Sequence, residues 1–162
     1  MKIYYTRSAI AGETFVKKIL KSEYAIGSPE IFRNENGKPF LNNAPLFFSV
    51  SHSGELTAAA IGQDEVGLDL ELRRTREYAS VVRRMTPAER KEDFFRVWTA
   101  KEAYVKFKGS TLAALYRKLE YRGGIIYEDG KPLSVALVHA ELHGCELCVC
   151  TADPVQIEIT EI

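Results

Sequence analysis

Apolar and polar positions along the chain change period several times, and each change marks an element. Lys2-Ile3-Tyr4-Tyr5-Thr6 reads as a short opening strand. Phe15, Val16, Ile19, Leu20 and Tyr24 then recur at helical spacing and predict a helix over about Glu13 to Tyr24. Ile31-Phe32-Arg33 suits a short strand, and the turn formers from Asn34 to Pro39 suit a loop. Leu46 to Val50 predicts a buried strand running into Ser51-His52-Ser53-Gly54. Thr57 to Ile61 fits either a strand pairing with it or a short helix, because Ala59 and Ala60 serve both.

Val66 to Leu72 is the clearest strand. Thr86-Pro87-Ala88-Glu89 carries a helix-start signature, so a long helix is expected from there to about Lys108, stopping at Gly109. Gly123-Gly124 breaks the next segment, and Glu128-Asp129-Gly130-Lys131 suits a hairpin turn. Leu133 to Leu142 and Glu146 to Thr151 predict two strands joined at His143-Gly144, with Val155, Ile157 and Ile159 as a last strand.

Polar residues inside these apolar patterns are the candidates for chemistry. In Val66-Gly67-Leu68-Asp69-Leu70-Glu71-Leu72, alternation sends Asp69 and Glu71 to one face and the aliphatic residues to the other. Two carboxylates at i and i+2 repel unless a cation or solvent relieves them. Hard oxygen ligands suit Mg²⁺, and a half-exposed strand with a wet acidic face gives the same pattern. On the next helix Trp98, Glu102 and Lys106 lie along one stripe. Glu102 should be partly buried there and in need of a partner, either Lys106 or a metal. Lys101 is a surface charge or a second phosphate contact. His52 is either a phosphate donor or a satisfied core histidine, and Lys38 either meets a phosphate or is solvated.

Composition narrows the partners. Over 162 residues, 22 Lys and Arg balance 22 Asp and Glu, so there is no global field to hold nucleic acid. No stretch reaches the roughly 20 apolar residues of a membrane span, and the start has no signal-peptide-length apolar run, so a cytoplasmic protein is expected. His139, His143, Cys145 and Cys148 could be a zinc set, but their spacing is cramped, and alternation favours Cys148 and Cys150 packing as small hydrophobes.

Gly37-Lys38-Pro39, Phe48-Ser49-Val50-Ser51-His52-Ser53, Gly67-Leu68-Asp69-Leu70-Glu71 and Phe95 through Lys106 (Phe-Arg-Val-Trp-Thr-Ala-Lys-Glu-Ala-Tyr-Val-Lys) occur in this order. Together they resemble the 4′-phosphopantetheinyl transferases, of the type that activates peptide and polyketide synthetases. The resemblance implies an α+β fold of small antiparallel sheets packed with long helices. It implies one domain over 1–162 with two lobes, about 1–63 and 64–162, the first of them shortened. It implies transfer of the phosphopantetheine arm of coenzyme A to a serine of an apo carrier protein, with Mg²⁺ as cofactor. By position, Asp69, Glu71 and Glu102 match the metal carboxylates. Lys106 matches the lysine at the transferring phosphate, and Ser51 and His52 match the residues at the coenzyme's phosphates. Lys38 matches the lysine near the ribose 3′-phosphate. Glu102 is the first choice as general base and Asp69 the second. A monomer is expected.

Carrier proteins are acidic around the modified serine. Arg73, Arg74, Arg76, Arg83, Arg84, Arg90 and Lys91 therefore form either a docking face or a solvated stretch paired with Glu77, Glu89 and Glu92. A non-catalytic binder of carrier protein or coenzyme A is the alternative function. It would be expected to lose one of the acids or Lys106, and all are present. An unrelated nucleotide phosphotransferase is disfavoured because no Gly-rich P-loop occurs.

Overall fold

Strand β1 (Lys2–Thr6) turns Ile3 and Tyr5 to one side and Tyr4 to the other, and all three are buried. A strand covered on both faces needs a layer above and a layer below. The computed structural model, which describes residues 1–8, 10–74 and 78–162 and all of their side chains but those of 79 and 80, supplies both layers. The chain continues through α1 (Gly12–Glu23), the hairpin β2 (Ile31–Arg33) and β3 (Pro39–Leu41), then β4 (Phe47–Ser53), β5 (Leu56–Gly62) and β6 (Val66–Leu72). After them come α2 (Ala79–Val82), α3 (Phe94–Lys108), α4 (Leu112–Leu115), β7 (Leu119–Arg122), β8 (Ile125–Glu128), β9 (Lys131–Pro132), β10 (Ala136–Leu142), β11 (Cys145–Thr151) and β12 (Glu158–Glu161).

Two sheets carry the architecture. The first has the order β12-β1-β5-β4 and the second β10-β11-β6. They face each other across a core of Ile3, Tyr5, Leu56, Ala58 and Ala60 from one, and Val66, Leu68, Leu70, Leu147 and Val149 from the other. Helix α1 covers the outer face of the first sheet with Phe15, Val16, Ile19 and Leu20. Helix α3 covers the outer face of the second with Val97, Ala100, Ala103 and Tyr104 against Cys148 and Cys150. The fold is thus mixed α and β in four layers. Pairing is antiparallel throughout both sheets except for β1 with β12, which is parallel. Strand β12 brings residues 158–161 back onto the sheet built from the first third of the chain. Among the described residues no helix is long and apolar enough to cross a membrane.

Most predicted elements stand where the pattern places them; the strand expected from Leu133 starts at Ala136, the last strand covers Glu158–Glu161 and leaves out Val155 and Ile157, and three further details differ. Thr57 to Ile61 resolves as strand, because β5 lies centrally between β1 and β4 and is buried on both faces. The strand leading from Leu46 does not end at Val50 but runs to Ser53. The long helix does not start at Thr86. The capping box there does form: Thr86 N–H donates to Glu89 Oε2 at 2.9 Å and Glu89 N–H to Thr86 Oγ1 at 3.2 Å. It caps only one 3₁₀ turn (Glu89–Lys91). The helix proper begins after Asp93, whose side chain accepts from Arg96 N–H, and ends at Gly109 with φ of 62°. Glu89 is held back from the helix by its other oxygen, which accepts from Tyr121 N–H and pairs with Lys101.

Cys145, Cys148 and Cys150 are buried free thiols, as strand packing predicts. His139 and His143 have different partners. His139 Nδ1 pairs with Glu146, while His143 sits at φ 48° in the turn before Gly144 and meets Tyr5.

Candidate active site at the seam between the sheets

The site begins with the register of β6. Val66, Leu68 and Leu70 are fully or almost fully buried in the inter-sheet core, which puts Gly67, Asp69 and Glu71 on the α3 face. A slip of one residue would exchange the two sets. Each aliphatic side chain would forfeit roughly 1.5–3 kcal/mol of burial and a carboxylate would enter the core. Core packing therefore fixes where the acids point.

Gly67 then sets how close α3 can come. A Cβ at this position would lie 1.9 Å from the carbonyl oxygen of Ala103 and 2.5 Å from the amide nitrogen of Phe107. The helix backbone rests directly on the strand, and its next turn holds Lys106 over Asp69. Lys106 Nζ donates to Asp69 Oδ1 at 2.7 Å and to Ser51 Oγ at 3.0 Å, and Ser51 Oγ donates to the same Asp69 oxygen at 2.9 Å. The other oxygen of Asp69, Oδ2, is buried and has no hydrogen-bond partner among the described residues.

Strand β4 reaches this site from the first sheet without joining the second. The two strands are edges of different sheets, and serine hydroxyls stitch them together. Ser49 Oγ accepts from Leu68 N–H at 2.9 Å and Ser53 Oγ from Leu72 N–H at 2.9 Å, so amides on the open edge of β6 find partners. Ser53 also donates to Glu71 Oε1 at 3.2 Å. Sequence reading picked out Ser51 and passed over Ser49 and Ser53. The signal was there in serine at every second position of β4.

Glu102 comes from α3 one turn before Lys106 and is half-buried. Among the described residues it has no hydrogen-bond or ion-pair partner, because Lys106 turns to Asp69 instead. Burial, and then the neighbouring charge of Asp69, push its carboxyl up to about 7; Lys106 opposes this and Glu71 adds to it. The Glu71 carboxyl is also raised, chiefly by burial, with the Ser53 hydrogen bond opposing. Asp69, Glu71 and Glu102 thus feel one another. Among the described residues no three acidic, histidine or cysteine side chains stand close enough to hold one ion together. At Asp69 an ammonium occupies one oxygen. The donor set nevertheless suits a hard cation: three carboxylates face one lysine, and Asp69 Oδ2 is an orphaned buried acceptor.

Three other candidates fall in different places. Lys38 lines the same cavity of about 280 Å³ as Lys106, together with Arg33, Ser49 and Val50. There it pairs with Glu65 and donates to the carbonyl of Phe107 at 3.0 Å, at the end of α3. His52 is exposed and lies on the opposite face of β4 from Ser51, as alternation requires, so it is neither a core histidine nor part of the Lys106 cluster. Lys101 is also not brought to that cluster. Five residues along a helix turn a side chain by roughly 140°. Lys101 is buried in an ion pair with Glu89, beside Tyr116, on the wall of a separate cavity of about 950 Å³ that Trp98 also lines.

Within the basic segment, Arg73 forms ion pairs with Asp93 and Glu146, and Arg90 donates to the carbonyls of Val82 and Arg83. Arg74 and Lys91 are exposed. Arg76 and Glu77 lie outside the described residues.

A profile described as the 4′-phosphopantetheinyl transferase superfamily matches residues 65–123, which contain β6 and α3. The 4′-phosphopantetheinyl transferase AcpT of Salmonella typhimurium is 32% identical over 85% of this chain and 74% of its own length. The chain belongs to the 4′-phosphopantetheinyl transferase family. AcpT of Escherichia coli K12 is 31% identical over 78% of this chain and 68% of its own. The 4′-phosphopantetheinyl transferase psf-1 of Bacillus pumilus is 29% identical over 96% of this chain and 76% of its own. The family match accounts for the mixed α and β architecture, and it makes the chain a transferase of this enzyme type.

Proposed function

We propose that the seam between β4, β6 and α3 transfers the 4′-phosphopantetheine arm of coenzyme A to a serine of an apo carrier protein. The observation that carries this reading is the Lys106–Asp69–Ser51 triangle beside an unpartnered Glu102. In the reaction the carrier serine Oγ forms a bond to the β-phosphorus of coenzyme A. The bond from that phosphorus to the bridging oxygen breaks, and 3′,5′-ADP leaves with the electron pair.

Each side chain has a part to play. The coenzyme's diphosphate would lie against Lys106, with Lys38 and Arg33 on the same cavity wall for the outlying phosphate. Lys106 holds charge on the diphosphate as the leaving group departs. The serine proton must go to a base, and Glu102, with its carboxyl near 7, is matched to accept it at neutral pH. Asp69 is the second choice, since Lys106 and Ser51 already engage one of its oxygens. Drawn closer together than they stand here, Asp69 Oδ2, Glu71 and Glu102 would hold Mg²⁺, which when bound would neutralise developing charge on the diphosphate oxygens. Ser51 and Ser53 keep Asp69 and Glu71 aimed at that place. Lys91 and Arg74 remain available on the surface for an acidic carrier, in a monomeric enzyme acting in the cytoplasm.

The test is direct. The protein is incubated with coenzyme A, Mg²⁺ and apo acyl or peptidyl carrier proteins, and the added arm is sought by mass spectrometry. Modification is expected, chelation should stop it, and Glu102→Gln should lower the rate by at least about 100-fold. Binding of coenzyme A or carrier with no modification of any carrier would support the non-catalytic reading instead. An undiminished rate in Glu102→Gln would remove Glu102 from the chemistry.

A further inference from the structure

Strand β6 supplies Asp69 and Glu71, and helix α3 supplies Glu102 and Lys106. Among the described residues no backbone hydrogen bond joins the two elements. Their relative placement is left to side chains and to close contact. Towards the C-terminal end of α3 the contact at Gly67 and the Lys106–Asp69 pair do this. Towards the N-terminal end Arg73 does it.

Arg73 is the first residue after β6, and its own N–H donates to Gly144 O at 3.0 Å, which continues the strand's tie to the β10–β11 turn. Its guanidinium meets Asp93 through two bonds, Nη1 to Oδ2 at 2.9 Å and Nη2 to Oδ1 at 3.1 Å. Asp93 is the residue whose side chain caps α3 through Arg96 N–H. Nη2 also donates to Glu146 Oε2 at 2.7 Å, and Glu146 is a buried carboxylate directly opposite Glu71 in the β6–β11 register. The guanidinium carbon lies 5.2 Å from the ring centre of Phe95, in the first turn of α3. One side chain thus ties the end of the strand that carries Glu71, the cap of the helix that carries Glu102, and the neighbouring strand. Of the two sequence-based alternatives for Arg73, a docking face or a charge with its own ion pairs, the structure shows the ion pairs.

We propose that Arg73 is a positioning residue for the transfer reaction, holding α3 in register on β6 so that Glu102 stands beside Asp69 and Glu71. It touches neither substrate nor reacting atoms. The inference rests on the function proposed above. Groups that shape a carboxylate site must hold it to within a fraction of an ångström, and loosening such a support costs about 10- to 100-fold in metal affinity or rate. A planar two-pronged guanidinium fixes both position and angle of the carboxylate that it grips, which an ammonium does not.

Arg73→Ala takes the guanidinium from the buried Glu146 carboxylate, leaving it His139 and the more distant Arg96, and can unfold the chain, so two gentler variants carry the test. Arg73→Lys keeps the charge and loses the fork. Asp93→Asn keeps an oxygen for Arg96 N–H and loses the charge that Arg73 grips. Each variant is checked for folding by circular dichroism. Mg²⁺ binding is then measured by calorimetry, and transfer rates are measured against Mg²⁺ and against carrier concentration. The expected result is folded protein whose half-saturating Mg²⁺ concentration rises about tenfold by both methods, with kcat down about tenfold and KM for carrier within twofold of wild type. A lower melting temperature with unchanged Mg²⁺ response and kcat would reduce Arg73 to a purely structural contact and overturn the inference. A raised KM for carrier alone would return it to the docking face and overturn it equally. A wild-type protein that transfers nothing would sink the proposed function, and this inference with it, whereas an active wild type with wild-type-like variants would sink the inference alone.

Discussion

Glu102 shows how much one residue can depend on what its neighbours leave it. Its i+4 partner by sequence is Lys106, and that lysine turns to Asp69, so the half-buried Glu102 carboxyl rises to about 7. A group whose folded pKa lies above its unfolded value of 4.5 binds more protons in the folded state between those two values. Stability therefore falls as pH rises from about 4.5 to about 7, and stays lowered above that. Glu102→Gln removes the penalty. The metal-free variant should be more stable than the parent above pH 7, on the order of 2 kcal/mol, and equal to it near pH 4, as read from denaturant melts at the two pH values. A variant equally stable at both would mean that the carboxyl is already relieved. The same residue had been recognisable from its place on an apolar stripe. Its lack of a partner was not, because a side chain with two possible partners commits only when both are in position.

At the scale of elements, the decisive join is helix α3 on strand β6. Sequence alone placed both, and it placed Asp69 and Glu71 on the correct face, because alternation and core burial speak with one voice there. It did not show why residue 67 is glycine. Gly67→Ala should push α3 outward, since the new methyl would meet the Ala103 carbonyl oxygen, and backbone cannot step aside as a side chain tip can. Such a change is expected to cost about 3 kcal/mol or more and to depress transfer more strongly than it depresses helix content. Thermal melts and transfer rates on the soluble variant would check this, and a near-wild-type melt would show the contact to be looser than drawn. The start of α3 was misplaced for an instructive reason. The signature at Thr86 is genuine, but Glu89 answers Tyr121 and Lys101 as well as Thr86, and only the tertiary fold reveals those claims.

Across the whole molecule, two sheets meet face to face with a helix on each outer side, and the site lies where an edge strand of one approaches an edge strand of the other. Ser49 and Ser53 close this seam with side-chain oxygens in place of a backbone ladder. Ser49→Ala and Ser53→Ala should each leave a strand amide without its acceptor, at a cost of about 1–2 kcal/mol. Hydrogen exchange should quicken at Leu68 in the first and at Leu72 in the second, while the β11 side of the sheet keeps its protection. Uniform acceleration in both would mean that the seam is not a separate unit of stability. The serines at every second position of β4 mark such a stitch, but a hydrophobic pattern alone reads them as exposed.

Lys106 resting on Asp69 has one more consequence. The cleft at rest holds a cation already answered by an anion, so it offers little attraction to the free phosphate or sulfate abundant around any protein. Asp69→Asn would strip away that counterweight. The lysine would then draw stray oxyanions out of the buffer, and the cleft would become a sink that competing phosphate should clog, which a phosphate titration of the variant against the parent would reveal.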